Sequence, residues 1–96
     1  MGDASGLKGF AIRAAPQGIY PAVCHVGDAY VPLSEEGLAR LRAVADAPPD
    51  QLYAVLVEVV GVSTYMKTRI EQLWQTVDAG AQSRLLQEAI KRLAPQ

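Results

Sequence analysis

The first third of the chain alternates. Phe10, Ile12 and Ala14 fall on one side and Ala11 and Arg13 on the other, the two-residue period of a strand with one covered face. Pro16-Gln17-Gly18 then combines a fixed backbone angle with a residue tolerant of positive φ, which makes a turn. A second strand is expected over Ile19 to Val26. Gly27-Asp28 supplies a two-residue hairpin turn with glycine first, as a type II′ turn requires, and Ala29 to Leu33 forms a third, short strand. The pattern predicts an antiparallel β-hairpin or three-stranded meander over about 10–33. Pro21 lies in the middle strand, which must donate on both edges, so pairing is expected to begin after Pro21 or to bulge there.

At Leu33 the period changes to that of helices. Ser34 stands as an N-cap before Glu35 and Glu36, which favour the positive end of a helix dipole, and Leu33 is placed to staple onto Leu38. The first helix is expected over 34–47, with Leu38, Leu41, Val44 and Ala45 as its buried stripe, stopped by Pro48-Pro49. Residues 52–62, LYAVLVEVVGV, suit a helix in length, yet their five valines favour a pleated surface. Asp50 before them, with Gly61 and Ser63 after, tilts the reading towards a central helix over 51–60. Met66, Ile70, Leu73, Trp74 and Val77 then recur at helical spacing, giving a third helix over 64–79 that ends at Asp78-Ala79-Gly80. Continuing that rhythm would put Gly80, Arg84 and Gln87 on the seam. The apolar pattern restarts instead as Leu85, Leu86, Ala89, Ile90 and Leu93, a fourth helix over 82–94 ended by Pro95. The expected fold class is α+β: one domain over 10–96 behind a mobile glycine-rich arm, 1–9.

Composition narrows the role more than the fold. A chain of 96 residues, half of them hydrophobic and a fifth charged, is globular. At this length it buries only about 60 to 65% of its unfolded surface, so a partner subunit would help. The net charge of −1 gives no global attraction to nucleic acid or anionic lipid. From Val62 onward, however, five basic residues face three acidic ones. A single cysteine cannot close an internal disulfide, and the longest apolar run falls short of the roughly 20 residues that span a bilayer. Met1 to Lys8 lacks the basic start and apolar core of a signal peptide. A cytoplasmic protein without a membrane partner is expected.

The candidate chemistry is thin. Cys24 and His25, the only residues of their kinds, are adjacent, but neighbours on a strand point to opposite faces. One cysteine and one histidine cannot supply the three or four ligands of a zinc site. A phosphate loop fails because Lys8 is followed by Gly9 and Phe10, not by serine or threonine. Glu35-Glu36 is explained by helix capping. Glu58, alone in an apolar run, would have a raised pKa if buried, or would sit at a wet point or pair with an arginine. No catalytic residue, cofactor or metal is expected, and the chain reads as no enzyme.

Two roles remain. The first is a small non-catalytic interaction, adaptor or regulatory module, self-associating as a homodimer or binding a protein partner. Its candidate patch is Leu73, Trp74, Val77, Leu86, Ile90 and Leu93, which exceed what a small sheet and one helix could cover. The alternative is a DNA-binding regulator. Ala54 to Leu73 resembles a helix-turn-helix, with Gly61 taking the turn's positive φ, Val62 plugging between the helices and Ser63 capping a recognition helix over 63–73. Ser63, Thr64, Tyr65, Lys67, Thr68 and Arg69 would then meet phosphates or base edges. The motif usually has an apolar residue where this chain has Lys67, and a small one where it has Val57.

Overall fold

The computed structural model describes residues 9–15 and 18–93. Three strands, β1 (Phe10–Ala14), β2 (Ala22–Val26) and β3 (Ala29–Leu33), form an antiparallel sheet in the order β1-β2-β3. Four helices follow: α1 (Glu35–Arg42), α2 (Pro49–Val60), α3 (Thr64–Trp74) and α4 (Ala79–Arg92). This is the expected α+β meander followed by helices. The expected arm lies outside the described residues except for Gly9, as do Pro16 and Gln17 of the first turn.

The alternation seen in the sequence separates the two faces of the sheet. Phe10, Ile12, Ala22, Cys24, Val26, Val31 and Leu33 are buried on the inner face. All four helices pack there: α4 on β1, α3 on β2, and α1 and α2 on β3. Pairing around Pro21 begins just after it, at Ala14 opposite Ala22. The proline still contributes through its carbonyl, which accepts from the Ala15 N–H at 3.1 Å. Gly27 has φ +65° while Asp28 stays at negative φ, the pattern of a type II′ turn.

A two-residue turn fixes which pairs in the β2–β3 ladder exchange hydrogen bonds. Val26 and Ala29 flank the turn and form such a pair, so Cys24 with Val31 and Ala22 with Leu33 do too. The backbone groups of Tyr30 and Pro32 therefore point away from β2, to the free edge. Pro32 loses no ladder bond there, and it removes one of the few donors that this edge would offer to another strand.

On the opposite edge, β1 turns the backbone of Phe10, Ile12 and Ala14 outward by the same alternation, consistent with Gly27 N–H donating to Gly9 C=O at 3.0 Å. There α4 replaces a fourth strand. Phe10 N–H donates to Gln82 Oε1 at 3.0 Å, and Gln82 Nε2 donates back to Phe10 C=O at 2.9 Å. A Cβ on Gly9 would collide with that same Oε1. The bare glycine backbone is what lets the amide come in.

Residues 52–62 form a helix up to Val60. Leu52, Leu56 and Val60, at four-residue spacing, are fully buried, and Tyr53, Val55, Val57 and Val59 pack partly against the core. Burial on nearly every side outweighs the strand preference of its valines. Several expected boundaries shift. α1 gives way after Arg42 to tighter turns, with Val44 N–H and Ala45 N–H bonding three residues back. Pro49 does not merely stop α1; it occupies the first turn of α2, where a missing N–H costs nothing, Pro48 takes the cap position, and Asp50 falls within the first turn. α3 ends at Trp74, and Asp78 begins α4 by accepting from Gly80 and Ala81 N–H, so α4 starts three residues earlier than its apolar pattern suggests.

Candidate functional site

The structure disperses the apolar patch expected on the C-terminal helices. Leu86 and Ile90 are fully buried in the core, and Leu73, Trp74 and Leu93 lie partly buried against it. Trp74 meets the Phe10 ring edge-on at 5.5 Å between centroids and lies 5.1 Å from the Tyr53 ring. Val77 is half-buried near Gly9. Trp74 is thus covered by the chain's own β1 and α2, and α4, which carries Leu86 and Ile90, packs on β1, α1 and α2.

The recognition-helix residues do stand together on α3. Ser63 caps it, its Oγ accepting from Met66 N–H at 3.2 Å, and Thr64, Tyr65, Lys67 and Thr68 are exposed. Arg69, however, reaches back to the hairpin turn and pairs with Asp28 at 2.8 Å, its guanidinium also 5.8 Å from the Tyr65 ring centroid. Two details of the junction differ from the motif. Gly61 has φ −79°, and glycine is needed there for space, because a Cβ would collide with the Val57 carbonyl and the Lys67 side chain. Val62 does not plug between the helices; it is 68% exposed. The basic tilt of the C-terminal third is also largely neutralised, with Lys91 on Asp46 at 2.6 Å and Arg92 near Glu88 at 4.0 Å.

The catalytic candidates part company. Cys24 is fully buried on the inner face, and burial pushes its thiol up to about 12, which keeps it protonated and unreactive. His25 lies on the other face, 5.9 Å from the Tyr30 ring. Glu58 is exposed and pairs with Arg40. Among the described residues no three of the His, Cys, Asp and Glu side chains gather as a metal site, and no helix is long and apolar enough to cross a membrane.

What the helix-based reading missed is the outer face of the sheet. The register sets Ala11, His25 and Tyr30 in one row across the three strands and Arg13, Val23 and Pro32 in the next. No described element covers these rows. Tyr20, Val23, His25, Tyr30 and Pro32 line a concavity of about 340 Å³, and Tyr30 is 65% exposed. Tyr20 and Pro32 also line a second groove of about 480 Å³, which runs over the free edge of β3 to Glu36 and Arg40 of α1 and to Glu58, Val59 and Val62. The two hollows share a wall and make one continuous surface. The signal lay in the sequence at the outward positions of the strands, where valine, tyrosine and proline stand in place of the polar residues of a wetted face. No protein-family model, curated protein or solved structure matches the chain.

Proposed function

We propose that this chain is a small non-catalytic interaction module that engages a protein partner through the outer face of its sheet. The observation that carries the reading is an apolar, aromatic sheet face with no described element laid over it. An antiparallel sheet that faces only water carries polar residues outward, and contiguous apolar surface on a small domain marks a contact site. Tyrosines suit such a site because they bring much contact area at little entropic cost. The DNA-binding alternative has less behind it, because Arg69 is held by Asp28 and Glu71 follows Lys67 by one helical turn.

The test is a photo-crosslinking amino acid placed at position 30, with position 85 as control. Leu85 is equally exposed, at 63%, but lies on α4. In cells making the protein, adducts are expected from position 30 and not from position 85. Absence of any adduct from position 30 sinks the reading.

A further inference from the structure

We propose that the occupant of this surface is a second copy of the same chain, docked about a two-fold axis close to Pro32. The inference rests on the interaction reading above and names its partner.

The first ground is size. Three five-residue strands make a face about 16 Å long and 14 Å wide, a footprint of roughly 230 Å². A specific interface takes about 800 Å² from each partner. The sheet face alone is too small, so the contact must run on over the β3 edge into the groove beside α1 and α2. Only a low-profile edge allows that. Pro32 sits in that edge and contributes to both hollows.

The second ground is charge. Across the surface, the register runs from Arg13 on β1 through Val23 on β2 to Pro32 on β3, and the groove beyond leads to Glu36 in the first turn of α1. Arg13 and Glu36 are both exposed, and neither has an ion-pair partner among the described residues. A cation and an anion, each without an ion-pair partner among the described residues, thus flank an apolar strip from opposite sides. A two-fold rotation about the middle of that strip exchanges its two ends. It lays Arg13 of each copy on Glu36 of the other and closes the strip of Tyr20, Val23, Tyr30 and Pro32 on itself. This is the self-complementarity that an isologous interface demands, in which residue i meets j and j meets i. The other rim charges, Arg40 and Glu58, already neutralise each other. They leave Arg13 and Glu36 to set the docking.

Sedimentation equilibrium of the full chain from about 10 to 500 µM tests this. The mass is expected to rise from 10.3 kDa towards twice that value. Arg13→Glu and Glu36→Arg each place like charges on both sides of the two-fold, and each should weaken the dimer by about tenfold. Mixing the two variants should restore it. In the mixed dimer the glutamate introduced in one variant meets the arginine introduced in the other, and across the axis the native Arg13 and Glu36 meet as before. Circular dichroism keeps the comparison to folded chains, as both positions are exposed. A wild type that stays monomeric to 500 µM overturns the inference, as does a dimer that ignores both reversals. An adduct at position 30 with a different protein overturns it too while leaving the interaction reading standing; failure of both is recognised by the absence of any adduct.

Discussion

Cys24 and His25 are adjacent in one strand and live in different media. On the inner side the strand lends Ala22, Cys24 and Val26 to a core closed by four helices; on the outer side it lends Val23 and His25 to a surface that no described element covers. Both faces are largely apolar, so hydrophobicity alone does not tell core from contact surface. The difference lies in topology. All four helices follow the meander in sequence and return to the same side of it. The inner face holds the molecule together. The outer face has no described element laid over it.

Three measurements break or sharpen that contrast. Replacing a fully buried inner side chain, Leu33→Ala, should cost about 2 to 5 kcal/mol in urea unfolding, whereas Tyr30→Ser on the outer face, in the same strand, should change monomer stability by no more than about 0.5 kcal/mol. Equal losses at the two sites would mean the outer face is structural.

The next effect concerns the edge beside the inner face. Gln82→Leu keeps the bulk but strips Phe10 N–H and C=O of both partners, each costing about 1 to 3 kcal/mol when buried and unmet. A total loss of about 2 kcal/mol is expected, near the lower end of that range for two groups. Hydrogen exchange should show the Phe10 amide released before those of Ala11 and Arg13, which point into the ladder with β2.

The smallest effect is a pH dependence. The folded state holds the Cys24 thiol up at about 12 against an ordinary value of 9.0, because burial disfavours the thiolate. Unfolding lets it ionise from about pH 9 upward, so the unfolded chain binds fewer protons and stability falls as pH rises between those two values. By about pH 10 the loss should be roughly 1 to 2 kcal/mol, and Cys24→Ala should remove that slope while starting from lower stability. Native protein should also resist thiol-specific reagents at about pH 8, where a buried protonated thiol is no nucleophile.

Much of the fold could be read locally. Glycine at Gly27, the serine caps at Ser34 and Ser63 and the strand alternation act through near neighbours, and each produced the element it implied. Features that depend on distant partners were invisible. Gln82 looks like an ordinary polar residue of an amphipathic helix, because the strand it serves lies 72 residues away. Asp78 is ambiguous for a related reason: Asp-Ala-Gly ends one helix as readily as it begins another, and only the packing of α4 on β1 decides. The patch expected on the helices dissolves because counting apolar helix positions says nothing of how much area a sheet and a neighbouring helix can cover. Leu86 and Ile90 are spoken for by the core, while Tyr30 and Pro32, inconspicuous in a short strand, are not.

The amide of Gln82 also sets an order on biosynthesis. β1 is made long before the helix that seals its edge, for α4 is the last of the described elements. Until α4 emerges and docks, Phe10 presents an open backbone donor and acceptor to any extended chain nearby. A stalled or prematurely ended polypeptide keeps that edge open. The hazard of misassembly therefore lasts from the making of β1 to the docking of α4, across two strands and three helices.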